Sequence, residues 1–177
     1  MPELVEPTVR LHAAWLDARD DWGPGLHEDG FGLRPSDEVD SPAGFAAWVA
    51  RLTESARPAD DDRPRCTYRW IVEEGRVLGG IALRHQPSDL GQIGYGIRPS
   101  ARRRGLATWA LGRMLDEARA LGRDRLLIVC VTDNIASART IERNGGVLEG
   151  VVASSLGPVR RYRVVLRQPI DSAADNP

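Results

Sequence analysis

The stretch IRPSARRRGLATWALGRML (97–115) decides the fold prediction for this chain. Three consecutive arginines lead into Gly105, and apolar residues then recur at helical spacing. A helix N-terminus carries unpaired N–H groups and about half a positive charge, and glycine lets a ligand approach the backbone closely. The stretch therefore predicts an anion-binding turn, with phosphate or pyrophosphate as the expected ligand.

The residues around this turn predict a strand on one side and a helix on the other. QIGYGIRPS (92–100) is typical of a strand, and its glycines at positions 94 and 96 indicate a bulge or a close approach by another backbone. TYRWIVEEGRVLGGIALRH (67–85) predicts the β-hairpin that precedes it. Residues 103–121 predict a helix with a stripe of apolar residues, and Gly122 ends it.

The remaining elements are also predicted by hydrophobic periodicity. DRLLIVCVTDN (124–134) is typical of a central strand buried on both faces, and a short helix follows over 135–144. Residues 146–152 and 160–166 predict a final strand pair, and two helices are expected within 4–22 and 41–56. This order predicts an α/β fold with a mixed, mostly antiparallel sheet that helices flank.

Length and composition favour one soluble domain. The chain has 177 residues with 42% apolar side chains, and no apolar run reaches the length of a membrane span. The start MPELVEPTVR lacks a signal pattern, so we expect a cytoplasmic protein. Cys66 and Cys130 stand alone rather than in a CxxC pair, which predicts buried thiols, leaves one disulfide open, and predicts no metal site.

Charge is unevenly distributed along the chain. The net charge is −1, but residues 1–64 hold 14 acidic and 6 basic side chains, whereas the rest hold 11 and 18. This asymmetry fits either two solvated surfaces or a basic half that binds an anion and an acidic half that faces a cation. All basic side chains are arginine, which excludes a Walker A phosphate loop and a Schiff-base lysine.

Two motifs in order resemble the GNAT superfamily of N-acetyltransferases. Arg102-x-x-Gly105-x-Ala107 is similar to the superfamily's Arg/Gln-x-x-Gly-x-Gly/Ala signature. DNIASARTIERNGG (133–146) is similar to its Asn-x-x-Ser/Ala helix. Together with Arg84-His85 and Arg161-Tyr162, the motifs resemble a group of predicted bacterial acetyltransferases. The match covers about residues 66–167 and implies a GNAT-like sheet with a splayed, bulged strand.

The resemblance implies acetyl-CoA as the cosubstrate and assigns residues to it. The pantetheine arm would lie beside the splayed strand, while main-chain N–H groups at the start of the helix would hold the pyrophosphate. Asn134 would contact the pantetheine or adenosine portion, although an N-cap role is equally expected and compatible. The cofactor residues implied in this way are Ile97, Arg98, Arg102, Arg103, Arg104, Gly105, Leu106, Ala107, Thr108, Asn134 and Ser137.

The catalytic residues are less clear from the motifs, because the chain departs from the superfamily. Many members place a tyrosine acid where this chain has Thr140-Ile141, and a glutamate base where it has Gln92. Of the groups that remain, His85 is the candidate base because its free pKa lies near neutrality. Tyr162 and Cys130 are candidates to protonate the thiolate. For all three residues a purely structural role is the competing interpretation.

The acceptor is expected to be a primary amine of a small molecule or a peptide. Three residues of a glycine-rich loop, His27, Glu28 and Asp29, are candidates to bind a cationic amine. We expect one domain over 1–177, with a helical acceptor-side part (1–65), an acetyl-CoA-binding core (66–167) and a tail (168–177). A homodimer is one alternative for the oligomeric state, and neither membrane nor nucleic acid is an expected partner.

Two other function classes compete with the acetyltransferase. The missing tyrosine and glutamate also fit a module that binds an acyl-CoA and performs no chemistry. An arginine-rich nucleic-acid binder would need a basic face with interleaved aromatic residues or a recognition helix, but here the arginines cluster at one turn. The sequence therefore favours the acetyltransferase.

Overall fold

The computed structural model describes residues 1–25, 30–58 and 63–166. In these ranges the helices and strands follow the predicted order, and the short strand β1 precedes the first helix. The elements are β1 (Glu3–Val5), α1 (His12–Trp22), α2 (Pro42–Ser55), β2 (Cys66–Glu73), β3 (Arg76–Arg84), β4 (Ile93–Ile97), α3 (Leu106–Ala120), β5 (Arg125–Val131), α4 (Ile135–Arg143), β6 (Val147–Ser154) and β7 (Gly157–Val165).

The strands form two antiparallel sheets that meet at β4 and β5. The first sheet has the order β1-β2-β3-β4, and the second has the order β5-β7-β6. Helix α3 connects β4 to β5 as a crossover, so these two strands run in the same direction. The sheets touch at Gln92, whose N–H donates to the carbonyl of Leu127 at 2.7 Å.

Strand β4 pairs regularly with β3, which decides between the two explanations of its glycines. Residues 93–97 each oppose one residue of β3, with no shift of register. The predicted bulge is therefore not present in this ladder. The close approach is present instead, because a Cβ on Gly79 of β3 would overlap the carbonyl oxygen of Gly96.

Helix α3 begins later than predicted, and β5 is less buried than predicted. The helix starts at Leu106 rather than at residue 103, because Arg103 and Gly105 have left-handed φ angles of 62° and 77° that no helix accommodates. Strand β5 is an edge strand of its sheet, and Val131 at its end is exposed. The prediction of a strand buried on both faces was wrong, because only the face with Leu126, Ile128 and Cys130 is buried, whereas Leu127 and Val129 on the other face are half-buried.

Two apolar cores lie in the molecule. One core packs α3 and α4 against both sheets. The other packs α1 and α2 against the first sheet through a group of aromatic rings, namely Trp15, Phe31, Phe45, Trp48 and Trp70. Helix α2 begins as predicted, with Pro42 in its first turn and the Ser41 hydroxyl accepting from the N–H of Gly44.

Cys66 and Cys130 are both free thiols in this fold. Across the described ranges, no helix is long and apolar enough to cross a membrane. Nor do three or more His, Cys, Asp or Glu side chains gather there in a group suited to a metal ion.

Candidate functional site

The site begins at the fork between β4 and β5. Gln92 closes one end of this fork with two hydrogen bonds, since its side-chain Oε1 also accepts from the N–H of Leu127 at 3.0 Å. The strands belong to separate sheets beyond this point. A gap therefore opens between them, bounded by main-chain groups that an extended ligand can pair with.

The cradle turn (residues 102–108) lies at the open end of the fork. After the short 3-10 turn Pro99–Ala101, the chain turns through two left-handed residues, Arg103 and Gly105, and enters α3. No side chain caps this helix. Its first N–H groups are consequently available to an anion, as the sequence predicted. A Cβ on Gly105 would meet nothing within 4 Å, so the space beside this residue is open.

A cleft of about 590 Å³ connects the cradle turn with α4. It contains nine of the eleven residues that the resemblance assigned to the cofactor. These are Ile97, Arg102, Arg103, Gly105, Leu106, Ala107, Thr108, Asn134 and Ser137. Residues from β4, from the cradle turn and from α4 thus converge on one concave surface, although they lie up to 40 positions apart in the sequence.

The cleft is electropositive. Four arginines line it, and the described lining includes no aspartate or glutamate. Arg102 and Arg103 were predicted, whereas Arg139 and Arg143 on α4 were missed. Their four-residue spacing puts them on one helix face, a signal that was available in the sequence.

The other two predicted cofactor arginines lie outside the lining. Arg104 forms an ion pair with Glu73, with 2.5 Å between Nη2 and Oε2. The side chain of Arg98 is 5% exposed and pairs with Asp17 and Asp21 of α1. The guanidinium of Arg98 therefore binds the N-terminal helix, which corrects its assignment to the cofactor.

Tyr95 is a cleft residue that the sequence analysis did not single out. Its hydroxyl lies 2.8 Å from the Ser137 hydroxyl oxygen and donates to the Ser137 carbonyl at 3.3 Å. Burial raises the pKa of Tyr95 to about 12. Ser137 is itself positioned by Asn134, whose Oδ1 accepts from the Ser137 N–H at 3.0 Å, which is the predicted N-cap.

The three predicted catalytic residues do not line the cleft. His85 is buried, with Nε2 2.9 Å from the Thr67 hydroxyl and Nδ1 3.4 Å from Arg123 Nη2. Arg123 follows the far end of α3, about 22 Å along the helix from the cradle turn. These partners favour a structural role for His85, and burial followed by the charges of nearby arginines lowers its pKa.

Tyr162 and Cys130 lie behind the cleft rather than at its surface. Tyr162 is fully buried and donates its hydroxyl to Glu142 Oε1 at 2.9 Å. Cys130 is 7% exposed. Burial raises the pKa of both groups, so each keeps its proton at neutral pH. The candidate acceptor residues His27, Glu28 and Asp29 lie outside the described residues.

Several solved structures share this fold. The microcin self-immunity acetyltransferase MccE, in complex with acetyl-CoA and AMP, has a TM-score of 0.69 at 16% identity, covering 93% of this chain and 92% of its own. A Salmonella typhimurium acetyltransferase that modifies the N-terminal serine of a 50S ribosomal subunit protein has a TM-score of 0.69 at 18% identity, with coverages of 94% and 95%. Mycobacterium smegmatis RimJ in complex with CoA-disulfide has a TM-score of 0.70 at 19% identity, with coverages of 93% and 81%.

A family model assigns the chain to a protein family, whereas these structural similarities alone show only the fold. No curated protein sequence matches the chain significantly. The model of the acetyltransferase (GNAT) domain, however, matches residues 30–147, which is well over half of the chain and includes the cradle turn and α4. This match confirms the resemblance seen in the two motifs. The chain therefore belongs to the GNAT acetyltransferase family, acyltransferases that transfer an acetyl group from acetyl-CoA to an amine.

Proposed function

We propose that the cleft between β4, the cradle turn and α4 binds acetyl-CoA and that the protein acetylates a primary amine there. The observation that carries this proposal is the uncapped N-terminus of α3, which opens into a cleft lined by four arginines. The N–H groups of residues 103–108 hold the diphosphate, and the arginines supply the charge that complements it.

The pantetheine arm lies in the fork between β4 and β5. It runs from the cradle turn along β4 towards Gln92, where the fork closes. Arg102 Nε now donates to the carbonyl of Ile97 at 2.9 Å. The Arg102 side chain therefore moves when that carbonyl pairs with a pantetheine amide, which also frees its guanidinium for a phosphate. Asn134 and Ser137 contact the arm from the side of α4.

The reaction is a direct attack by the neutral amine on the thioester carbonyl. The amine nitrogen forms the new C–N bond, the C–S bond breaks, and the electron pair stays on sulfur. The amine loses one proton, either to a base or to water, because an ammonium ion has no electron pair for attack. A main-chain N–H of β4 stabilises the developing oxyanion. His85 as base, and Tyr162 or Cys130 as acid, stay predictions that their buried positions do not favour.

The acceptor approaches from the side of the first sheet that α1 and α2 cover. This assignment keeps the predicted division into an acceptor-side part (1–65), a cofactor-binding core (66–167) and a tail (168–177). The excess of acidic side chains in residues 1–64 supports a cationic amine. The Salmonella enzyme acts on a protein N-terminus. A peptide amine and a small-molecule amine are both acceptors of the proposed class, and His27, Glu28 and Asp29 stay candidates for binding it.

Two measurements test the proposal. Calorimetric titration with CoA and acetyl-CoA is expected to give saturable 1:1 binding that weakens with added salt, since charge holds the diphosphate. A thiol-release assay against a panel of polyamines, amino acids, aminoglycosides and peptides is then expected to give turnover with at least one amine. Saturable binding without turnover of any amine would favour the non-catalytic acyl-CoA module, and absence of binding would overturn the site itself.

The cellular setting is part of the same proposal. We infer a cytoplasmic, bacterial enzyme that uses neither a membrane nor nucleic acid as a partner. Two free cysteines are consistent with a reducing compartment. A homodimer remains one alternative for the oligomeric state, which light scattering of the purified chain measures directly.

A further inference from the structure

We propose that the Tyr95 hydroxyl, held in place by Ser137, donates a hydrogen bond to the thiolate sulfur that leaves acetyl-CoA. This inference rests on the proposed function and adds a catalytic residue to it. It follows from where the fork closes, from what the hydroxyl contacts, and from where the two proton donors proposed from the sequence lie.

The geometry of the fork limits where the sulfur can lie. An arm that enters from the cradle turn passes Ile97 and cannot pass Gln92, whose two hydrogen bonds to Leu127 join the strands. Tyr95 occupies this interval, about 7 Å from Ile97 and about 10 Å from Gln92 along the strand. It also lines the cleft. Within this interval Tyr95 is the side chain with a hydroxyl that β4 contributes to the cleft, and the proposal places the reactive end of the arm beside it.

The contacts of the hydroxyl fix its position without saturating it. Tyr95 and Ser137 bring their side-chain oxygens within 2.8 Å of each other, and Ser137 lies on the wall of the cleft. Because a tyrosine hydroxyl has one proton, it can point either to Ser137 or to a new acceptor in the cleft. A thiolate that forms in the gap is a stronger acceptor than the neutral oxygens present now.

The hydroxyl comes from a different element than the family resemblance suggested. On α4, the place where many family members have a tyrosine holds Thr140-Ile141, and Ile141 is fully buried in the core. Tyr95 reaches the same helix from β4, on the opposite side of the cleft. The chain thus supplies a phenol to this region although α4 contains none.

The two proton donors proposed from the sequence, Tyr162 and Cys130, do not line the cleft. Tyr162 donates to Glu142 and is fully buried, and Cys130 is 7% exposed and does not line the cleft. Tyr95 has a pKa near 12, so it is protonated at every physiological pH. A donor of that pKa does not transfer its proton outright to a more acidic thiol. In the proposed step the amine proton leaves to solvent or a base, Tyr95 keeps its own, and the sulfur departs as a hydrogen-bonded thiolate.

The chain contains three tyrosines, which makes a matched set of variants available. Tyr95→Phe, Tyr162→Phe and Tyr68→Phe each remove one hydroxyl from a half-buried or buried ring. The readout is the pKa of the CoA thiol in the bound complex, followed by thiolate absorbance in the ultraviolet as the pH is raised. This measurement needs no knowledge of the acceptor amine, and desulfo-CoA gives the background.

In Tyr95→Phe the bound thiol is expected to have a pKa about one unit higher than in wild type, as loss of one charge-assisted hydrogen bond implies. Turnover with any amine from the panel is expected to fall about 10- to 100-fold, with the KM for acetyl-CoA little changed. Tyr68→Phe, at a ring outside the cleft, is expected to leave the pKa of the bound thiol at its wild-type value, and a rise in Tyr162→Phe in place of Tyr95→Phe would overturn the role of Tyr95.

Ser137→Ala is a second variant for the same measurement, and it tests the proposal even if Tyr95→Phe does not fold. It removes the Ser137 hydroxyl and keeps the Ser137 carbonyl, so the Tyr95 hydroxyl is less firmly positioned and the thiol pKa is expected to rise by a smaller amount in the same direction. An unchanged thiol pKa in the folded variants, with CoA still bound, would overturn the role of Tyr95 and leave the proposed function intact. Failure of the wild-type protein to bind CoA would overturn both.

Discussion

Asp21 on α1 and Arg98 after β4 form an ion pair in which Oδ2 accepts from Nε at 2.7 Å. The same carboxylate oxygen accepts from the N–H and the hydroxyl of Ser100, at 3.2 and 2.6 Å. The pair therefore fastens the N-terminal helix to the turn that leads into the cradle turn. Hydrogen bonds from Arg98 and then from Ser100 lower the pKa of Asp21 to about 2.

We expect Asp21→Asn to lower the stability of the protein at neutral pH. Because the folded-state pKa lies below the unfolded value of about 4, the carboxylate contributes stability above pH 4 that is lost as the pH falls towards 2. The variant should lack this part of the acid sensitivity. Urea unfolding between pH 7 and 2 measures it, with Asp20→Asn as the control, because the exposed Asp20 pairs only with Arg19 among the described residues. Equal acid sensitivity in the two variants would contradict the assignment.

Gly105 and Gly122 bracket α3 with nearly the same backbone, at φ angles of 77° and 75°, and a Cβ would meet nothing within 4 Å at either position. Valine at either site should destabilise the fold through the left-handed backbone by a similar amount, about 1–2 kcal/mol. Only Gly105→Val should also weaken CoA binding, by at least about tenfold, because its side chain enters the cradle turn. Calorimetric titration of both variants tests this. Equal CoA affinities in the two variants would remove the cradle turn from the binding site.

The sequence predicted much of this site because its signals are local. The arginines, Gly105 and the start of α3 are neighbours in the chain, so a helix N-terminus with added charge is visible without a tertiary structure. The same holds for the Asn134 cap on Ser137. Nine of the residues predicted to contact the cofactor line one cleft because two such local motifs begin α3 and α4.

Tertiary partners account for what the sequence did not predict. Nothing near Arg98 in the sequence reveals that Asp17 and Asp21, about 80 positions earlier, bind its guanidinium. Likewise, the sequence near His85 does not reveal that this residue contacts Arg123, beyond the C-terminal end of α3, instead of lining the cleft. Tyr95 was missed because alternation along a strand does not say which helix a side chain reaches across a gap.

The side chain of Gln92 accepts a hydrogen bond that a main-chain carbonyl would accept in a continuous sheet. It is 6% exposed, and its Oε1 accepts from the N–H of Leu127. Gln92→Met keeps the volume but leaves that N–H without its acceptor, which should cost about 1–3 kcal/mol of unfolding free energy. Chemical denaturation measures this loss.

Gln92→Glu is the matched control for the hydrogen bond, since it retains an oxygen acceptor. Its carboxylate is expected to be costly when ionised in this buried site and better tolerated when protonated. The stability of Gln92→Glu should therefore approach that of wild type as the pH falls from 7 to 5, whereas the deficit of Gln92→Met should not change. If Gln92→Met is as stable as wild type at both pH values, the fork is held by other contacts.

Replacing His85 is expected to change how stability depends on pH and to leave the pH dependence of turnover unchanged. Burial and the charges of Arg65 and Arg123 lower its pKa, so the unfolded chain binds a proton near pH 6.5 that the folded chain does not. Its neutral form contributes stability above that pH, and the contribution is lost as the pH falls through the lowered folded-state value. His85→Gln, which does not titrate, should therefore flatten the loss of stability between pH 7 and 5. Since His85 is buried against Thr67 and Arg123 and does not line the cleft, the pH profile of turnover should keep its wild-type midpoint in this variant. A shifted midpoint together with an unaltered stability profile would instead support His85 as the catalytic base.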